Sequence, residues 1–139
     1  MERPHFDSVE WQDTYLCHIE RIDKHRRKLI EIFNFIIDKY AARTCKDTIT
    51  QPFFKLAFAT ESYFYEEEVL LKQLEYPQYR EVRTRHKETT KHIIQFKEDF
   101  SEGKETTCQD MLFYLTLWIQ QEVINYDPQI IGFLKQKGV

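Results

Sequence analysis

Between Ile19 and about Tyr40 the apolar residues Ile22, Leu29, Ile32, Phe33, Ile36 and Ile37 recur at spacings of three and four, the repeat of one helix face. A second stripe opens near residues 48–52 and runs to about Leu74 through Phe53, Leu56, Ala57, Thr60, Tyr63, Phe64, Leu70 and Leu71. Val82, His86, Ile93 and Phe96 or Phe100 share a third face, and Met111, Leu112, Leu115, Trp118, Ile119 and Val123 a fourth. Residues 43–47, the pair Tyr76-Pro77 and residues 101–104 interrupt the pattern, and proline disfavours helix in the residue before it. The spacing predicts helices over about 19–42, 50–74, 78–100 and 106–127, followed by a C-terminal segment. Amphipathic helices joined by short connections form an all-α, antiparallel up-down four-helix bundle. One domain then covers residues 1–139, with residues 1–18 as an N-terminal arm that packs Trp11 and Tyr15 outside the bundle or across its end.

Composition narrows the picture. The 139 residues are 42% hydrophobic and 15% aromatic, enough for a core, while Gly (3) and Pro (4) are too rare for a turn-rich β protein. Basic residues (20) and acidic residues (23) are mixed along the chain, with no footprint for nucleic acid or anionic lipid. The N-terminus lacks an apolar run that could act as a signal peptide, and no stretch reaches the length of a membrane span. Cys17, Cys45 and Cys108 have no ligand-like spacing and read as free thiols, which points to a reducing, cytoplasmic setting. No nucleophile–base pair, glycine-rich phosphate loop or CxxC motif is present, so no catalytic residue is assigned.

Ionisable residues on the apolar stripes are the exception to this bland surface chemistry. Glu67 interrupts the second stripe, His86 lies on the third, Glu122 on the fourth, and Asp127 follows five residues later. Arg26 lies on the first, four after Ile22 and three before Leu29. Buried carboxylates and an imidazole need a neutralising cation, either a metal ion or the Arg26 guanidinium. Five residues are roughly 140° of helix, so Glu122 and Asp127 reach one site only where the helix bends or ends, as Pro128 suggests.

Four ordered motifs carry a family resemblance. Trp11-x10-Ile22-Asp23-x2-Arg26-x2-Leu29-x4-Asn34, Tyr63-Phe64-x2-Glu67-Glu68-x-Leu70-Leu71, Tyr76-Pro77-x4-Val82-x3-His86 and Trp118-x3-Glu122-x4-Asp127 together resemble the bacterial hemerythrins. The resemblance implies a four-helix bundle with a dioxygen-binding, non-haem di-iron centre held by histidines and bridging carboxylates. Glu67 and Asp127 stand at the carboxylate positions and His86 at one histidine position, whereas Arg26, Tyr63, Val82 and Glu122 stand where the other histidines are implied. Arginine cannot shed its proton to become a ligand, so the iron position of Arg26 and Tyr63 is not expected to fill.

Two readings follow. In the first, the site is a metal-free pseudo-site in which Arg26 is counter-cation to Glu67 and Asp127, the protein is not an enzyme, and the bundle serves sensing or interaction with a protein partner. In the alternative, a single Fe, Mn or Zn ion is held by His86, Glu122, Glu67 and Asp127 in a mononuclear metal protein or redox enzyme. An intact di-iron oxygen carrier is the least favoured. Elsewhere, His5, His18, His25 and His92 read as surface or helix-flank residues, and Phe53, Phe54, Phe58, Tyr63, Phe64 and Tyr65 as core filling. Glu66 and Glu68 read as a solvated charge run beside Glu67, and Arg83, Arg85, Lys87 and Lys91 as a solvated helix face.

Overall fold

Helix ends in this chain are set by backbone geometry more than by glycine. A computed structural model describes residues 3–45 and 50–139. Helices α1 (Glu20–Ala41), α2 (Thr50–Gln73), α3 (Tyr79–Ser101) and α4 (Thr107–Trp118) form the bundle; α4 continues into a π-helical turn (Ile119–Ile124), and a short α5 (Pro128–Gln136) closes the chain. After α1 the amide of Thr44 bonds to Lys39 O and that of Arg43 to Tyr40 O; after α2 Tyr76 bonds to Leu71 O and Glu75 to Lys72 O. The same paired bonds end α3 at Gly103 and α5 at Gly138. These are Schellman ends, which need one residue in the left-handed region. Glycine fills that position twice, but Arg43 (φ 61°) and Glu75 (φ 60°) fill it elsewhere. The loop residues 46 and 47 and the expected opening at Thr48 lie outside the described residues.

The helices pack antiparallel, α1 against α2, α4 and the π turn, and α3 against α2 and α4. This is the all-α four-helix bundle that the pattern predicts. Ile22, Leu29, Phe33, Ile36, Leu56, Leu71, Met111, Leu112 and Leu115 are almost wholly buried between them. Burying such side chains is worth roughly 1.5–3 kcal/mol each, against the entropy of ordering the chain. Among the described residues no helix is long and apolar enough to cross a membrane.

The N-terminal arm runs back along α1. Val9 exchanges two hydrogen bonds with the Asn34 side chain, at 2.8 and 2.7 Å, and Arg3 Nη1 donates to Tyr40 O at 3.2 Å. Phe6 is buried edge-on between Tyr40 and Phe113. The arm therefore lies along the flank of the bundle from the end of α1 to its start.

Two expectations need correction. Cys45 and Cys108 are not free thiols: they form a disulfide, 6.5 Å between Cα atoms, that ties the end of α1 to the start of α4. Spacing along the chain could not reveal this, because 63 residues separate them and only the antiparallel packing brings them together. Cys17 alone is free, and it is buried. One disulfide and one buried thiol do not point to a reducing compartment. Secondly, Phe53, Tyr63 and Phe64 are core residues, but Phe54, Phe58 and Tyr65 are 53%, 73% and 69% exposed. Aromatic identity predicts burial, yet these three lie off the buried stripe of α2.

The disulfide closes a long loop, so its loss is expected to matter. Reduction, or Cys45→Ser with Cys108→Ser, is expected to lower unfolding free energy by about 2–4 kcal/mol, measured by urea denaturation with and without reductant.

Candidate functional site

Every charged or aromatic group expected at the site sits in the half of the bundle opposite the disulfide, where α1 begins, α2 ends, α3 begins and the π turn ends. Arg26 is 1% exposed. Its Nε donates to Val123 O at 2.8 Å, Nη2 to Val123 O and to Ile124 O at 3.5 Å, and Nη1 to Tyr15 O at 2.5 Å and Asp23 Oδ1 at 2.9 Å. The guanidinium also lies over the rings of Trp11 and Tyr126, 5.4 and 5.3 Å from their centres. Val123 and Ile124 end a helix, where carbonyls lack amide partners and a positive charge is favoured. Arg26 thus caps the C-terminus of the fourth helix.

Asp23 supplies the counter-charge. It is 1% exposed and accepts from Cys17 N, Cys17 Sγ and His18 N, each at 3.1 Å, as well as from Arg26. Burial pushes its carboxyl upward, but these hydrogen bonds and the guanidinium outweigh it and hold the carboxyl below the ordinary range. The same burial, with the bond to Asp23, pushes the Cys17 thiol up to about 11. Cys17 is consequently a thiol donor and a poor nucleophile.

This corrects the expected role of Arg26. It neutralises Asp23 and the helix end instead of Glu67 and Asp127, because those carbonyls and Asp23 occupy all its N–H groups. Glu67, 3% exposed, is served by others: Tyr126 Oη donates to its Oε2 at 2.6 Å, and His86 Nε2 lies 3.1 Å from its Oε1. The second imidazole nitrogen, Nδ1, lies 2.8 Å from Glu68 Oε2. Each ring nitrogen thus faces one carboxylate oxygen. Phe64 stacks on this imidazole, 3.8 Å between centres and 9° between planes, and Trp118, edge-on to Phe64, donates to Thr89 Oγ1 at 3.1 Å.

Around this network the remaining candidates divide. Tyr63 is buried beside Glu67, and burial together with that carboxylate raises its phenol well above the ordinary range; burial and the neighbouring Tyr63 and Glu67 do the same to Tyr126. Both remain phenols. Val82 is buried and offers no donor atom. Glu122 is half-buried and its carboxyl is raised, first by burial and then by the charges of Glu67 and Asp127, with Arg85 and His86 opposing. Asp127 is the N-cap of α5, accepting from Gln129 N at 2.8 Å, and its other oxygen is 3.8 Å from Arg85 Nη2. The helix does end between Glu122 and Asp127. A π turn does this, closed by Asn125 N bonding to Gln120 O, and Pro128 starts the next helix.

Sequence reasoning missed three participants. Asp23 stands three residues before Arg26, an ion-pair spacing that was a usable signal. Tyr126 is four residues after Glu122 and adjacent to Asp127. Glu68 had no such signal; it is held against His86 where it was expected to be solvated, and Glu66 pairs with Arg21 at 2.5 Å. His25, half-buried, stacks loosely against Tyr63 and its imidazole is lowered by burial, then by Lys24. His92 stacks on Tyr114, and His5 pairs with Asp7.

The donor set can be tested against the di-iron centre. The implied ligand positions hold a permanently charged guanidinium with every N–H engaged, a phenol and an aliphatic side chain. Among the described residues, no three His, Cys, Asp or Glu side chains converge closely enough to hold a metal ion. These residues do not fit two irons. No family model matches the chain. A bacteriohemerythrin of Clostridium acetobutylicum is similar to it, 27% identical over 131 residues that cover 87% of this chain and 97% of that protein.

Breaking the buried ion pair exposes its worth. Arg26→Met leaves Asp23 and three carbonyls without their cation and is expected to cost about 3–5 kcal/mol in urea denaturation, with Asp23→Asn costing a similar amount and the double variant less than their sum. The pH dependence has a definite sign: a depressed carboxyl stabilises above its unfolded value of about 3.9 and loses that contribution as pH falls through the lower folded value. Acid titration of stability should show a loss below about pH 4 that Asp23→Asn lacks.

Proposed function

We propose that this chain, a hemerythrin-like four-helix-bundle protein by distant homology and by fold, works without a di-iron centre and serves as a sensing or interaction module. One observation carries the reading: at a position where the resemblance implies a ligand, Arg26 is a fully hydrogen-bonded cation built into the fold. Chemistry around it agrees. Both Glu67 oxygens are engaged, by Tyr126 and His86, so the partners of the bridging-carboxylate position are supplied by protein groups. A polar core in which Arg26, Glu67 and His86 all have partners is rigid and specific. It offers no reacting atom for catalysis.

A second reading rests on Glu122. Its raised carboxyl makes no hydrogen bond or ion pair among the described residues, and it stands near Glu67, His86 and Asp127. These four side chains do not converge as they stand; a single divalent ion would have to draw them together, and would then relieve that excess of carboxylates. Such an ion would supply Lewis acidity or one-electron chemistry, with Arg85 offsetting the surplus negative charge.

Elemental analysis decides between them. Protein prepared with added Fe, Mn and Zn is expected to carry well under one metal per chain, with no oxo-bridged di-iron absorption after anaerobic iron loading and exposure to air. One metal per chain that disappears in both His86→Ala and Glu122→Gln would establish the single-ion site instead. Iron at two per chain with that absorption would overturn both readings.

A further inference from the structure

We infer that the crevice between α2 and α3 is a docking groove for an acidic amphipathic helix of a partner protein. The inference rests on the interaction role proposed above and gives that role a surface.

Three observations carry it. Phe54, Phe58 and Tyr65 follow each other at spacings of four and seven on α2, so they form one stripe, and all are more than half exposed. Solvent-facing aromatics in a continuous row mark an interaction surface. On α3 the facing row is cationic: Arg83, Lys87 and Lys91 recur every four residues, and Ile94, 50% exposed, continues the line. Lys97 Nζ lies 5.6 Å from the centre of the Phe54 ring, which shows that the two rows border one crevice. Between them lies a cavity of about 620 Å³ that reaches Lys72 and Tyr79 at its far end, with the Phe64 and His86 rings among its lining residues.

Charge selects the occupant. The chain as a whole is at −3, yet this row concentrates cations against that balance. Glu61 and Glu68 also line the crevice, but Glu68 is held by His86 and lies 3.9 Å from Arg83; Lys91 is 3.4 Å from Glu88. Lys72, Lys87 and Lys97 have no carboxylate within ion-pair distance among the described residues, and are available to an incoming acidic side chain.

Length selects the form. From Phe54 to Lys72 the α2 stripe rises about 27 Å, at about 1.5 Å per residue. A partner helix of similar length, with apolar residues at helical spacing and Asp or Glu beside them, would cover the aromatic row and meet the cations together. A small anionic amphiphile would fill the cavity but leave Phe54 and Phe58 bare, because they lie along the stripe beyond it.

The test uses the intact chain and a fluorescein-labelled synthetic helix with Leu and Phe at helical spacing and Glu elsewhere, followed by fluorescence anisotropy. Micromolar binding is expected, weakened by salt and by about tenfold or more in Lys87→Glu with Lys91→Glu and in Phe58→Ser with Tyr65→Ser. These positions lie on the surface, so circular dichroism and Tm should stay unchanged. A probe with Lys in place of Glu should bind the charge-reversed variant better than the wild type. No binding, or equal binding by all variants, overturns the proposal. So does dodecanoate binding that the same variants abolish while the helix fails to bind, which makes the groove a small-molecule site. Self-association in sedimentation that those variants abolish, without helix binding, assigns the groove to a second copy and also overturns it. Metal content separately decides the polar core, so failure of one reading is distinguishable from failure of the other.

Discussion

Arg26 joins parts of the chain that nothing else brings to one point. A guanidinium taken out of water must recover its hydration from the protein, or the fold loses several kcal/mol. Here the recovery comes from Tyr15 in the arm, Asp23 on its own helix and the carbonyls of Val123 and Ile124, 97 and 98 residues away. Trp11 and Tyr126 add aromatic faces. Trp11 also has the Arg27 guanidinium over its ring, and its indole N–H is left buried without an acceptor.

The rest of the site depends on this cap. Because Arg26 satisfies the end of the π turn, the chain can leave the helix there and place Tyr126 against Glu67 before Asp127 starts α5. Glu67 then meets His86, and His86 meets Glu68 and the face of Phe64. One line of polar contacts therefore runs from the arm through α1, the π turn and α2 to α3. Buried polar groups satisfied in this way specify one arrangement strongly, since losing any member strands its neighbour. Glu122 stands apart from the line, which is why it alone keeps the single-ion reading open.

The two ends of the bundle are held differently. At one end the buried ion pair and its network do the work; at the other a disulfide ties α1 to α4 beside the Phe6, Tyr40 and Phe113 cluster. The outer crevice of α2 and α3 runs between these ends and takes no part in either. His86 and Phe64 nonetheless belong to both, since their rings take part in the polar core and also line the crevice.

Periodicity by itself determined the bundle, because a helix buries one face and the spacing of Leu29, Phe33, Leu56, Leu71 and Leu112 reports that face directly. It also brought out Glu67, His86 and Arg26 as ionisable groups on inward stripes, and the structure buries all three. Tertiary structure decided who partners whom. The acceptors of Arg26 are mostly backbone carbonyls at a helix end, and a carbonyl has no letter in a side-chain pattern. The Cys45–Cys108 bond and the Tyr126–Glu67 contact likewise join residues 63 and 59 apart, which only antiparallel packing makes neighbours. Phe54, Phe58 and Tyr65 fall off the inward stripe of their helix, so the spacing placed them outward while their aromatic identity suggested core; only the packed structure shows them exposed. Local spacing records which face is apolar; the distances that pair charges across the bundle exist only once the helices have met.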